Sequence, residues 1–317
     1  MSITEIPVRR PAVLESRPSR NPRALWDSLT RKATPYLFLL PFLVGFLIFM
    51  VYPLVYAFNL SLYQKKIVGG VTFVGLANYV KAFQDANFWE GVRNVLVFGL
   101  LNIPIMLGLA LLFATLIDSG VVRRVSIFRL FYFMPFAMPN VVAALIWGYF
   151  YGQGFGPIAQ LAKALNLQPP IFLTPSGIIP SLANISVWQY TGYNMLIIYA
   201  AMKSIPVELY EAARVDGANE WQIAWHIRIP LVMPAILLTF IFSIIGTLQL
   251  FNEPNVLNAV APTAMNRHFT PNLYVYNLAF ANKQFDYSAA ISFTLAIVTA
   301  FVSSLVLFII FRREARQ

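Results

Sequence analysis

Apolar positions run in six long stretches, at about 35–58, 92–117, 128–151, 177–202, 231–251 and 286–311. Each reaches the ~20 residues an α-helix needs to cross the hydrocarbon core of a bilayer. Pro41, Pro53, Pro104, Pro135 and Pro139 fall inside them. Membrane helices tolerate proline where neighbours satisfy the freed carbonyls. The pattern predicts an all-α integral membrane fold of about six transmembrane helices filling residues 35–311, with a flexible tail at 1–34 and a short C-terminal tail at 312–317. Between the spans, residues 59–91 carry Gly69-Gly70 and then FVGLANYVKAFQDANFW, whose interleaved aromatics suit a short interfacial helix. Residues 157–168 predict an amphipathic turn or two. Residues 252–285 form a long segment with few charges, placed to fold over the mouth of the bundle.

Composition agrees. Hydrophobic residues make up 58% of the 317 and charged residues 11%, against ~25% charged in ordinary soluble domains. The net charge of +10 does not require nucleic acid, because its placement is topological. Arg9, Arg10, Arg17, Arg20, Arg23, Arg31 and Lys32 lie in the tail; Arg123, Arg124 and Arg129 in the second loop; Lys203, Arg214 and Arg228 in the fourth; Arg312, Arg313 and Arg316 at the end. The alternate loops keep few. The positive-inside rule therefore puts both termini in the cytoplasm. With no cysteine, disulfides and thiolate chemistry are excluded. His226 and His268 fall on opposite sides of the predicted membrane, so no metal site is expected.

The longest inward loop, 203–230, continues into the fifth span as KSIPVELYEAARVDGANEWQIAWHIRIPLVMP. Ser204 and Pro206 start a helix, and Glu208 and Glu211 suit its N-terminal half. Gly217 stops it in the left-handed conformation. Asn219 with Gln222 three residues on forms a capping box for a second helix, which Pro230 and Pro234 end. Small side chains at Ala212 and Ala213 let a partner approach closely, and Glu211 offers a charge. A loop lying on the membrane surface, with Trp221, Ile223 and Trp225 inserted, is the alternative reading of the same residues.

Glu211-Ala212-Ala213, three residues, Gly217, nine residues, then Ile227-Arg228-Ile229-Pro230 resembles the EAA loop of bacterial ABC-importer permeases, with Ile229 in place of the usual leucine. Spacing held over some twenty residues is far more specific than a short motif. FVGLANY resembles the segment before the second helix in the carbohydrate-uptake branch, the maltose and glycerol-3-phosphate type. The tail and LFLLPFLVGFLIFMVYPLVYAFNLSL resemble the first-permease subunit of such systems. The chain departs from that branch after the fifth helix, where NVLNAVAPTAM replaces the common T-x-G-G-P turn. The resemblance implies a type I ABC-importer permease whose loop couples to a cytoplasmic ATPase through Glu211, Ala212, Ala213, Asp216, Gly217, Ile227 and Pro230. It also implies a second permease subunit, more readily a paralogue than an identical copy, two copies of the ATPase, an extracytoplasmic substrate-binding protein, and a bacterial cytoplasmic (inner) membrane location. This chain has no G-x-x-x-x-G-K-[ST] phosphate loop, so no cofactor is expected in it; ATP and Mg belong to the partner, and the chain is a transport subunit rather than an enzyme.

Polar side chains within spans line a cavity or join helices. Ser186, Tyr190 and Tyr193 share one face of the fourth span with Asn194 beside them; the fifth presents Gly246 and Gln249, followed by Asn252 and Glu253. The resemblance points to Tyr190, Tyr193, Gly246 and Gln249 as sugar contacts. Neutral hydrogen-bonding groups and aromatic rings suit hydroxyls and the apolar faces of pyranoses. Bonding between helices is the competing role for each residue. Asn94, Asn140 and Asn184 are further candidates. No span holds a deep Lys or Arg, which favours a neutral sugar over glycerol-3-phosphate. An ion-coupled secondary transporter is the rival class, but intramembrane carboxylates are scarce and no internal repeat is visible. A membrane enzyme would need clustered Asp, Glu or His at one interface, and none occurs.

Overall fold

The computed structural model describes residues 22–66 and 69–314. The chain divides into two units at Tyr56/Ala57. The first holds α1 (Pro22–Phe46), a π-helical turn at Leu47–Val51 and the start of α2 (Tyr52–Ser61). The apolar run that it opens, Thr34–Ser61, is 28 residues long, about 42 Å at helical rise. Phe38 and Phe49 are 83% and 82% exposed along it, which is tenable in lipid and not in water. Helix therefore begins at Pro22, inside the stretch expected to be a tail. Residues 1–21 and 315–317, with the rest of that tail and part of the C-terminal one, lie outside the described residues.

The second unit opens with a hairpin that the all-α expectation did not contain. β1 (Tyr63–Lys66) pairs antiparallel with β2 (Gly70–Phe73), from Tyr63↔Phe73 to Lys66↔Gly70. Gly69 and Gly70 take φ of +108° and +74°, a turn conformation that glycine adopts without a Cβ penalty. The Lys65 N–H donates to the Asp286 carboxylate at 2.8 Å. After α3 (Ala77–Gln84), Asp85 caps α4 (Ala86–Asp118) by accepting from the Asn87 N–H at 2.9 Å.

The third expected span is broken rather than continuous. α5 (Val125–Phe133) and a 3₁₀ turn (Met134–Ala137) meet α6 (Asn140–Phe150) at 97°. Pro139 removes an N–H and forces Met138 into an extended conformation, ψ 140°, as residues before proline prefer. After α7 (Pro157–Ala164), α8 (Ile178–Met202) forms the centre of the bundle, packed along α4 and against α5 and α11 (Ile229–Leu248). Its contact with α5 is backbone-close: a Cβ at Gly192 would land on the Tyr132 carbonyl oxygen.

Among the described residues, four helices are individually long and apolar enough to cross a membrane: Thr34–Ser61, Ala86–Asp118, Glu220–Leu248 and Phe285–Leu305. The bent α5–α6 pair makes a fifth if counted as one span. α8, with 25 residues, is long enough but less apolar. Enclosed by other helices, it buries Ser181, Gln189, Thr191 and Asn194 instead of presenting hydrocarbon to lipid.

The loop helices are α9 (Val207–Val215) and α10 (Glu220–Ile223). The expected break at Pro230 does not occur. A π-helical turn at Ala224–Arg228 carries α10 directly into α11, with Pro230 in the first helical turn and Pro234 inside. Widening the helix just before a proline accommodates the missing donor and the ring. The long segment beyond forms α12 (Asn252–Val260), α13 (Pro271–Tyr276) and a π-helical turn at Asn277–Ala281 before α14 (Phe285–Glu314).

Candidate functional site

A cavity of about 390 Å³ lies between α4, the 3₁₀ turn before α6, α8, the end of α11 and the start of α12. All eight residues singled out as substrate candidates border it: Ser186, Tyr190, Tyr193, Asn194, Gly246, Gln249, Asn252 and Glu253. Their convergence follows from backbone. The helical period aligns the α8 residues on one face, and α11 ends at Leu248, so the chain turns and delivers Asn252 and Glu253 on the first turn of α12. A Cβ at Gly246 would meet nothing within 4 Å, so that glycine leaves the wall open.

The bend at Pro139 contributes a further wall, made of the sequence candidate Asn140 and of Phe136, which sequence reasoning did not find. Phe136 stacks on Tyr193, with centroids 4.4 Å apart, and meets Tyr190 edge-on at 5.8 Å. Asn140, the first residue of α6, donates its amide to the Tyr190 hydroxyl at 2.8 Å. Gln189 fixes that amide by donating to the Asn140 side-chain oxygen at 3.2 Å and to the Met138 carbonyl at 2.9 Å. The Tyr190 hydroxyl thus accepts from the protein and keeps its proton to donate into the cavity. Asn102 on α4 also borders the space, and its buried side-chain oxygen has no partner. The signal for it was an Asn in the middle of an apolar run. Of the further candidates, Asn140 lines the cavity, whereas Asn94 bonds the Phe269 carbonyl and Asn184 the Tyr151 hydroxyl. Asn194 bonds the Tyr190 carbonyl on its own helix at 3.0 Å, a helix-internal role beside its place on the cavity wall.

The second feature is the loop. Gly217 has φ +82°, and α9 closes with Ala218 N–H to the Ala213 carbonyl (2.9 Å) and Gly217 N–H to that of Arg214 (3.1 Å), a Schellman arrangement. Asn219 and Gln222 form the reciprocal capping box, both bonds 2.9 Å. A groove of about 340 Å³ follows between the two helices, bordered by Ala213, Asp216, Gly217 and Ile227 together with Ala218, Gln222, Ile223 and His226. Glu211 and Ala212 are exposed on α9, and Pro230 is exposed at the start of α11.

Beneath the groove lies an ion-pair network that the sequence did not disclose. Arg228 is 1% exposed; its Nε donates to Asp118 at 2.9 Å and a terminal nitrogen to Glu220 at 3.0 Å. Lys203 reaches the other Asp118 oxygen at 3.1 Å, and Arg214 reaches Glu220 at 2.9 Å. Burial opposes the Lys203 charge, but the Asp118 carboxylate outweighs it and holds that ammonium above its usual range. The Tyr210 ring lies under the Arg228 guanidinium at 5.1 Å. The loop is thereby fastened to the last residue of α4 and the end of α8.

Comparison with known proteins bears on the whole of this arrangement. Residues 106–316 match the family described as the inner membrane component of binding-protein-dependent transport systems. The chain belongs to this family. The permease is 32% identical to the lactose transport system permease protein LacF of Rhizobium radiobacter over 85% of its own length and 91% of the relative's. It is likewise 32% identical to the arabinooligosaccharides transport system permease protein AraP of Bacillus subtilis (strain 168), over 90% and 92%. Its fold matches a chain of a bacterial ABC transporter involved in the import of the acidic polysaccharide alginate, with a TM-score of 0.78, 23% identity, and coverage of 91% of the permease and 99% of that chain. The all-α membrane architecture expected from the sequence is thus that of type I ABC-importer permeases, and the chain is a transport permease of that kind.

Proposed function

We propose that this permease imports a sugar or short oligosaccharide, with the cavity between α4, α8, α11 and α12 as the cargo passage and the α9–α10 loop as the lever that an ATPase moves. The observation that carries the reading is the cavity wall: hydroxyl, amide and phenol groups interleaved with aromatic rings, the pattern that hydrogen-bonds hydroxyls and covers the apolar faces of pyranoses. The relatives' names, lactose and arabinooligosaccharides, support the same class of cargo. Ser186, Tyr190, Tyr193, Asn194, Gly246, Gln249, Asn252 and Glu253 are the proposed contacts, with Asn140 holding Tyr190 in place. A phosphorylated cargo such as glycerol-3-phosphate is disfavoured, because among the described residues no Lys or Arg borders the cavity.

In this reading a binding protein delivers cargo to the α12–α13 side, and a second permease, a paralogue, completes the pore. Two cytoplasmic ATPase subunits, holding ATP and Mg, close and push on the groove formed by Ala213, Asp216, Gly217 and Ile227, with Glu211, Ala212 and Pro230 at its exposed margins. The Asp118–Arg228 pair carries that displacement into α4. The loop and both termini then lie in the cytoplasm, as the basic residues require. The partners act only through their different affinities for the inward- and outward-facing states.

The test is recovery of an ATPase subunit with the tagged, full-length chain in mild detergent, beside Glu211→Lys and Gly217→Pro. Proline cannot adopt the +82° φ of Gly217, so that variant deforms the loop, while Glu211→Lys alters only an exposed charge. Recovery with the wild type and loss with both variants is expected. A well-folded wild-type chain that recovers no ATPase overturns the coupling role.

A further inference from the structure

Glu253 is the one charged residue bordering the cavity among the described residues. It is 5% exposed, and none of the ion pairs among the described residues includes it. An isolated buried carboxylate is costly, so its environment has to compensate. Glu253 sits in the first turn of α12, where unsatisfied N–H groups and the helix dipole favour negative charge. Burial nevertheless pushes its carboxyl above the usual range, against the pull of its own N–H and the Asn140 side chain. Everything else on the wall is neutral, its polar groups including Asn102, Asn140, Ser186, Tyr190, Tyr193 and Gln249.

We propose that Glu253 sets the charge class of the cargo, admitting neutral or amine-bearing saccharides and rejecting those that carry carboxylates. The inference rests on the saccharide reading above and narrows it. A uronate entering the cavity would bring a second carboxylate into a poorly screened space with no cation to accept it. Either the two charges repel, or one must take up a proton that neutral solution supplies reluctantly. A hydroxymethyl group at the same ring position has no such penalty and can donate to Glu253. An ammonium on the sugar within reach of Glu253 would gain an ion pair.

The experiment is equilibrium binding to the full-length chain co-purified with its pairing permease in detergent near pH 7.5, with matched trisaccharides. Galactotriose and trigalacturonate differ only in bearing hydroxymethyl or carboxylate groups; lactose and arabinotriose serve as further neutral probes and the glucosamine trimer as the cationic one. Wild type is expected to bind trigalacturonate at least tenfold more weakly than galactotriose, and the glucosamine trimer at least as tightly as galactotriose. Glu253→Gln is expected to bring the galactotriose to trigalacturonate ratio below threefold, and Glu253→Asp to keep it. If Glu253→Gln fails to fold, the wild-type ranking of galactotriose, trigalacturonate and the glucosamine trimer decides alone. Equal binding of the neutral and acidic probes, or a tenfold gap that survives in a folded Glu253→Gln, overturns the charge inference and leaves the saccharide reading standing. No binding by any saccharide overturns both.

Discussion

Changing Asp118 to Asn takes one carboxylate from the network that fastens the α9–α10 loop and leaves two cations, Arg228 and Lys203, facing it. The side chains of Asp118 and Arg228 are 3% and 1% exposed, with 2.9 Å between Nε and Oδ2, so water does little to screen the pair. At an effective dielectric of 20 and ~4 Å between charge centres, the attraction is about 4 kcal/mol. Removing one partner of a buried pair characteristically costs about 3–5 kcal/mol, because the other charge stays desolvated. Glu220 still holds the far side of the guanidinium at 3.0 Å, so a loss of about 3 kcal/mol is expected. Lys203→Ala removes a cation whose side chain is 56% exposed, and pairs of that kind contribute within about 1 kcal/mol. Asp118→Leu with Arg228→Met removes both charges and is expected to cost less than Asp118→Asn alone. The assay is a double-mutant cycle on the purified chain, unfolded by SDS titration from mild detergent, with amide exchange over residues 207–223 to register loosening of the loop. If Asp118→Asn costs no more than Lys203→Ala, or the cycle is additive, the network does not anchor the loop.

Two glycines separate packing from passage. Gly192→Ala drives a methyl into the Tyr132 carbonyl and is expected to cost about 1–3 kcal/mol or more, read as a lower melting temperature in detergent. Gly246→Ala meets open space, so its melting temperature is expected to hold while cargo uptake falls. The Asp85 clasp predicts a pH dependence. Burial raises the Asp85 carboxyl, but the hydroxyls of Tyr287 and Tyr274, both at 2.7 Å, and the N–H groups of Asn87 and Phe88 outweigh it and hold the pKa low. A depressed folded pKa contributes stability above the ordinary carboxylate value, ~3.9, and that stability is lost as pH falls through the lower folded value. Tyr274, pushed up to about 12 by burial and by Asp85, contributes stability that is lost as pH rises from about 10 towards that value. Melting temperatures across pH are expected to show Asp85→Asn less stable than wild type at neutral pH, with the gap closing only as pH falls through the depressed folded value of Asp85, where both come to carry an uncharged side chain.

The membrane architecture was written in the one-dimensional pattern. Each of the six apolar runs falls on helix, because each span must satisfy its own backbone in lipid and so reads locally, although the first helix begins at Pro22, well before its run, and the third run is split at Pro139. The Gly217 stop and the Asn219–Gln222 capping box were equally legible, since caps are formed between residues three or four apart. What failed to read locally was the way helices bend and close. The same prolines that an isolated pattern passes over turn the third span by 97° at Pro139 but leave α10 and α11 continuous across Pro230. The outcome depends on which neighbours take up the freed carbonyls. The hairpin at Tyr63–Phe73 is short and polar, with a donor bond to Asp286 that lies far along the chain.

For the site, helical spacing alone grouped Ser186, Tyr190, Tyr193 and Asn194, since residues at i, i+4 and i+7 share a face whatever surrounds them. Sequence offered Asn140 only as a further candidate and could not say that Phe136 would stand with it on the opposite wall, or that Asn94 and Asn184 would be spent on bonds elsewhere. Nor did it reveal that Asp118 and Arg228, 110 positions apart, meet at 2.9 Å. The sequence by itself determined the helices, their caps and the faces they present, because these follow from contacts within a turn or two. Which faces meet, which polar groups find partners, and where a carboxylate faces a cavity without an ion pair among the described residues were decided only by packing, because those interactions join residues that the chain keeps far apart.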